Sequence, residues 1–400
     1  MPTIGIVIAL SEREATPQPH PQTAWSRYQN NDSDDKACPM RSDSARSRTH
    51  FDYVDGLRAI AVLGVVIFHV VVSEAKSHDL GLPGIETVGA RGVDLFFVLS
   101  GFCLALPYLR AARASGILEI DYGKFISRRI ARIAPPYYVA LVAFTLLALT
   151  PFGYPSTWAP VAALDGAGTR EFMPDLAFLT TRLPVANGSF WTLGIEMRWY
   201  FLFPLLLALF VRSKTAFFCL GFGLYALYFL LPTHVLDFGT LPGFMLGILA
   251  AEIVLRSRRI GWEAIVVAGV LLALAILRAA TTASEDHGDP LWQIAFFAIV
   301  VASGATVPAK ILAWKPLTFL GTASYSIYLV NQPLVVWFGR HGVPWPLAGV
   351  VATFAGIAFW FVIEQQFTNR ATREGIAAGL RRVLVRYRRP AIVVPLNVTR

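Results

Sequence analysis

One arginine and one histidine stand eleven residues apart in DGLRAIAVLGVVIFHV (Asp55–Val70), a run otherwise greasy enough for a lipid bilayer. An ionisable group in hydrocarbon costs several kcal/mol unless it is compensated, so such residues usually mark a working site. On a helix, eleven residues turn Arg58 and His69 to within roughly 20° of one face and separate them by about 16 Å. A cation at one end and a proton-transfer group at the other suit a long ligand with an anionic head and a reactive tail. Coenzyme A thioesters have that shape. Arginine holds phosphate through a planar, permanently charged fork, and histidine titrates where a general base is useful. Two plainer roles compete: Arg58 as a charge at the membrane boundary, and His69 as a hydrogen-bonding group inside a bundle.

A second set of polar residues lies in SFWTLGIEMRWYFLFPLL, where Glu196 and Arg198 enter a later apolar run about 9–12 Å from its start. If that helix neighbours the first, Glu196 reaches His69, where a carboxylate fixes the imidazole tautomer and raises its basicity. Glu196 and Arg198 are two apart and face different ways. Arg198 is then a candidate for stabilising a developing oxyanion; a structural Glu–Arg network between helices is the alternative. RRIARIAPPYY puts Arg129 and Arg132 on one face, as a second grip on phosphate or as topological anchors. GVDLFFVLSGF opens a span with Asp94, near an approaching acceptor or satisfying the helix dipole. YSIYLVNQPL carries Asn331 and Gln332 before Pro333, a polar kink that serves helix–helix contact or the acceptor site.

The elements that position these groups follow from composition. The chain of 400 residues is 55% hydrophobic and 15% charged, with a mean hydropathy of +0.54. Soluble domains carry nearer a quarter charged residues. Apolar windows at 57–73, 92–109, 133–150, 190–211, 215–231, 234–254, 260–278, 290–307, 319–338 and 344–364 give an all-α, polytopic membrane bundle of about ten transmembrane helices. Every second connection is basic. Arg110, Arg113, Lys124, Arg128, Arg129 and Arg132 lie in one, and eight arginines follow Gln365. That alternation places both termini in the cytoplasm, and makes the net charge of +9 a matter of topology and anionic lipid rather than nucleic acid. Residues 1–50 form an N-terminal extension whose polar part, 11–50, reads as disordered. Translation from Met40 is an alternative to Met1. Residues 51–364 form the membrane domain and 365–400 a basic cytoplasmic tail. The external loop 151–189 is long enough to fold over a site. Cys38, Cys103 and Cys219 offer neither a disulfide framework nor a metal cluster.

Taken in order, DGLRAIAVLGVVIFH, GVDLFFVLSGF, RRIARIAPPYY, FWTLGIEMRWYFLFP and YSIYLVNQP resemble the integral membrane acyltransferases of acyltransferase family 3, from about Phe51 to Glu364. The resemblance implies a ten-helix bundle that takes acyl groups from cytoplasmic acyl-CoA and passes them to hydroxyls, usually on cell-surface carbohydrate and sometimes on a small glycosylated metabolite. It places the family's Arg-x10-His element on Arg58 and His69, its Arg-x-x-Arg element on Arg129 and Arg132, and its glutamate on Glu196. Two departures stand out. The family often has a histidine in the ninth span where this chain has Asn331, so a titrating group is replaced by a hydrogen-bonding one. Some members also carry a soluble hydrolase-like domain, for which the basic tail is too short.

The expectation is therefore an O-acyltransferase of the bacterial inner membrane. Arg58, Arg129 and Arg132 hold the donor, acetyl-CoA by default, and no cofactor or metal is permanently bound. His69 deprotonates the acceptor, Glu196 and Arg198 assist, and Asp94 and Asn331 lie toward the carbohydrate or glycosylated acceptor. A transporter or flippase of a glycan or lipid precursor would also use buried His, Glu and Arg. That alternative calls for inverted repeats and paired broken helices, and neither is found.

Overall fold

The computed structural model describes residues 51–75, 85–148, 175–179, 187–230, 238–257, 260–282, 288–384 and 391–396. The N-terminal extension and most of the loop 151–189 lie outside the described residues, as do the disorder and the folding-over expected of them. The described residues belong to the unit Thr49–Arg400.

Seven stretches among them are long and apolar enough to cross a bilayer: Asp52–Ser73, Val88–Ser115, Tyr122–Leu147, Gly188–Arg212, Phe238–Arg256, Trp262–Thr281 and Trp345–Thr368. Large apolar side chains such as Ile67, Leu146, Leu205, Leu277 and Phe354 stay exposed on their outer faces, as the hydrocarbon of a bilayer allows. The chain is a multi-pass helical membrane protein. The other three windows, 215–231, 290–307 and 319–338, coincide with helices of 17, 13 and 17 residues, shorter than the roughly 20 that cross hydrocarbon squarely. Two of those windows had run across a helix boundary. A turn after Ala302 interrupts one, and a break at Ala323 divides the other between Lys315–Thr322 and Ser324–Arg340.

The helices that matter for the site are α1 (Asp52–Ala75), α2 (Gly92–Ser115), α3 (Tyr122–Ala148), α4 (Trp191–Arg212), α5 (Lys214–Leu230), α6 (Leu241–Arg256), α7 (Trp262–Thr282), α8 (Pro290–Ala302), α9 (Thr306–Leu312), α10 (Lys315–Thr322), α11 (Ser324–Arg340) and α12 (Trp345–Phe359). The α2–α6 pairing is the most extensive in the bundle, and α1 packs against α2, α10 and α11. Small residues bring α2 and α6 together: a Cβ on Gly101 would strike the Phe244 carbonyl, and one on Gly247 would strike that of Val98. Close backbone approach of this kind is how membrane helices associate where lipid removes the hydrophobic drive.

After α2 the chain turns at Gly116, whose φ of 77° is the left-handed conformation that ends the helix. It then enters a short strand, β1 (Ile117–Asp121), which leads directly into α3. β1 pairs antiparallel with β2 (Ala391–Pro395), Glu119 opposite Val393. Its alternation buries Leu118 and Ile120 completely. Helix α13 (Arg370–Leu384) packs on α3, so the segment after Glu364 folds back onto the arginine-rich end of the bundle.

Gly101→Ala puts a methyl group into the Phe244 carbonyl and is expected to cost about 1–3 kcal/mol through overpacking. Gly269→Ala, where a Cβ meets nothing within 4 Å, gains helix propensity and is expected to leave the melting temperature unchanged or slightly raised. Thermal melts in one detergent check the contrast. Equal behaviour of the two variants contradicts a tight α2–α6 contact.

Candidate active site

A cavity of about 600 Å³ opens at the arginine-rich end of the bundle. Arg58 of α1, Arg110 of α2 and both Arg129 and Arg132 of α3 line it. Their convergence follows from helix geometry: Arg129 and Arg132 lie three apart on α3, and Arg110 lies in the last turns of α2. The acidic groups on the same wall are Asp55, 4.0 Å from Arg58, and Glu196. Four guanidinium groups against two carboxylates leave an excess of positive charge. The Arg129 Nε is buried without a hydrogen-bond partner among the described residues. A cluster of forked cations of this kind fits a polyphosphate.

The wide cavity narrows inward to a second space of about 70 Å³, walled by Val93, Phe96, Phe97, Thr192, Leu193 and Tyr328. Arg58, Ser100, Glu196 and Tyr325 line both and form the neck between them. Helix α2 runs the length of the passage. Arg110 to Ser100 is about 15 Å along its axis, and Ser100 to Val93 about 10 Å more. Arg58 thus stands at the neck, deeper than Arg110.

His69 is buried one helical turn past Tyr328, beside Asn331 of α11. Its Nδ1 lies 2.5 Å from Asn331 Oδ1. The Asn331 amide nitrogen is committed elsewhere, donating to the carbonyls of Ile327 and Tyr328 at 2.9 Å each. Oδ1 can only accept, so Nδ1 carries the hydrogen and Nε2 keeps its lone pair. Helical spacing sets Arg58 and His69 near one face of α1, but only Arg58 lines the cavities; His69 lies next to Asn331, one turn past Tyr328 of the narrow one.

The partner expected for His69 was Glu196, and the structure puts Asn331 there. Glu196 accepts from Ser100 Oγ at 2.9 Å and from the Tyr200 hydroxyl. The reason lies in the packing: α1 lies against α11 while α4 lies against α2, α3, α5 and α6, so Glu196 faces the neck. Arg198, two residues on, lines neither cavity. Nor does Asp94 line either cavity. It is 1% exposed, 3.5 Å from Arg91, and accepts from the Gly288 amide at 3.2 Å. Arg91 in turn sits over the Trp292 ring, so Asp94 ties the start of α2 to the entry of α8. Asn331 is fully buried, and its side chain is spent on His69 and two helical carbonyls. Gln332 holds the start of α4, accepting from Ser189 Oγ at 2.9 Å, and Tyr328 adds a bond to the Ser189 carbonyl.

Several site residues were missed from the sequence. Arg110 had been counted as a topological charge only. Ser100, Tyr200 and Tyr325 are single polar groups in apolar runs, without a spacing that singles them out. Glu364 lies in a π-helical turn, Trp360–Glu364, and accepts from Ser326 Oγ at 2.5 Å next to the cavity residue Tyr325. A π turn inside a helix often accompanies a functional site, but it leaves no mark in the sequence.

A family profile described as an acyltransferase domain matches residues 51–365. Among similar proteins, the peptidoglycan O-acetyltransferase OatA of Listeria monocytogenes is 25% identical over 347 residues, covering 74% of this chain and 51% of that protein. A putative peptidoglycan O-acetyltransferase of Bacillus subtilis, YrhL, is 23% identical over 78% of this chain and 52% of its own length. A putative O-acetyltransferase of Staphylococcus aureus is 28% identical over 69% and 49%. The chain thus spans about half the length of these relatives. No solved structure matches it. With five motifs in order, a helical membrane bundle and a profile match over most of its length, the chain belongs to the acyltransferase family that the profile defines.

Proposed function

We propose that this protein is a membrane-embedded O-acyltransferase that moves an acyl group, acetyl by default, from cytoplasmic acyl-CoA to a hydroxyl of a carbohydrate or glycosylated acceptor. The observation that carries the reading is the His69–Asn331 pair standing past an arginine-lined cavity and its narrow extension. Arg58, Arg129 and Arg132, joined by Arg110, hold the donor's phosphates. The pantetheine arm runs through the neck and the narrow space, and the roughly 16 Å rise from Arg58 to His69 brings the thioester to the imidazole. The alternation of basic connections supports a cytoplasmic arginine end. The acceptor hydroxyl then comes from the opposite end of the bundle.

His69 Nε2 takes the hydroxyl proton as the oxygen attacks the thioester carbonyl. The tetrahedral oxyanion collapses, the carbon–sulfur bond breaks, and the imidazolium returns the proton to the departing thiolate. Asn331 keeps the correct nitrogen free and holds the ring through both steps. It is a positioning residue, since it meets neither substrate. The names of the relatives support an O-acetyl group and a cell-wall carbohydrate as acceptor. Arg198 and Asp94 have no part in this mechanism.

His69→Ala is expected to abolish acyl transfer, a loss of about a hundredfold or more, with unchanged membrane expression; retained product contradicts the assignment. Asn331→Leu removes the acceptor for Nδ1–H and is expected to lower kcat about ten- to a hundredfold at an unchanged KM for acetyl-CoA. A shift in KM alone would place Asn331 in binding instead. Arg132→Ala is expected to do the reverse, raising donor KM about tenfold or more through loss of a charged phosphate contact. Donor-saturation kinetics on purified protein separate these outcomes.

A further inference from the structure

Glu196 stands where the wide and narrow cavities meet, with Ser100 and Tyr325 beside it. Both of its hydrogen bonds, from Ser100 and from Tyr200, go to Oε1. Among the described residues none reaches Oε2. An ionised carboxylate accepts and never donates, so a ligand threading this neck gains by presenting an N–H or O–H at that level. The Glu196 oxygen itself repels phosphate, which leaves phosphate to the arginines and the carboxylate to a neutral donor. Ser100, at the neck, lies about 15 Å from Arg110 along α2, so a long ligand whose nucleotide end rests at Arg110 brings a later part of its length to Glu196. On the acyl-CoA reading, that part is the pantetheine arm, which carries secondary amides.

We propose that Glu196 is a donor-binding residue whose Oε2 accepts a hydrogen bond from an amide N–H of the pantetheine arm, with Ser100 and Tyr200 fixing the carboxylate through Oε1. This rests on the acyl-CoA reading above. It replaces the role of orienting His69 that sequence spacing had suggested for Glu196. The division of labour is physical: arginines grip the anionic nucleotide, and an anionic acceptor grips the neutral, amide-bearing arm. The neck then distinguishes coenzyme A from other polyphosphate ligands that fit the wide cavity.

Binding measurements on the purified full chain in nanodiscs test this with two probes: coenzyme A, and adenosine bisphosphate, the nucleotide portion without the arm. Glu196→Ala is expected to weaken coenzyme A about tenfold or more, the size of a lost charged hydrogen bond, and to leave adenosine bisphosphate unchanged. Glu196→Gln keeps the shape and a carbonyl acceptor and is expected to lose less. The proposal is overturned if Glu196→Ala leaves coenzyme A binding intact, or if it weakens both probes alike. Wild-type protein that binds neither probe would instead overturn the donor reading and remove the basis of the proposal.

Discussion

An imidazole inside a membrane bundle can act as a base only if something fixes its tautomer without adding a charge that hydrocarbon would penalise. The bond from His69 to Asn331 meets that requirement. Because both amide hydrogens of Asn331 are spent on helical carbonyls, its oxygen has one orientation, and the ring has one. A carboxylate in the same place would strengthen the base but would itself need a partner, since a buried charge is costly when unpaired. An amide gives the orientation without that cost.

Around this pair, charge is graded along the passage. The wide cavity is cationic, the neck carries one carboxylate beside Arg58, and the narrow space is walled by aromatic and aliphatic side chains with the hydroxyls of Thr192 and Tyr328. A ligand anionic at one end, amide-bearing in the middle and neutral at its reactive tip complements that order. Helix α2 spans it, and the glycine contacts with α6 hold α2 in place. The β1–β2 pairing anchors the start of α3, and with it the helix that carries Arg129 and Arg132.

Part of the arginine-lined cavity was legible because one helix fixes its own geometry. Arg58 and His69 had to share a face, as did Arg129 and Arg132, whatever the helices packed against. Choice of partner was not legible in the same way. Glu196 and Asn331 both reach the interior, and only the neighbours of α1 decide which one meets His69. Asn331 had looked like the loss of a titrating residue, when its neutrality suits the position it occupies. A helix boundary was misplaced where apolar sequence continued across the break at Ala323, since hydropathy does not register a turn made of apolar residues. The strand pair was invisible, because a strand of five residues says nothing about a partner more than 250 positions away.

The most direct test of the central claim is a structure of the full chain with a non-transferable thioether analogue of acetyl-CoA. The expected result is phosphates against Arg58, Arg129 and Arg132, with the carbonyl carbon analogue within about 4 Å of the space before His69 Nε2 that an attacking hydroxyl would fill. An analogue whose tip ends outside the narrow space, or a His69 ring bonded to something other than Asn331 through Nδ1, would contradict it.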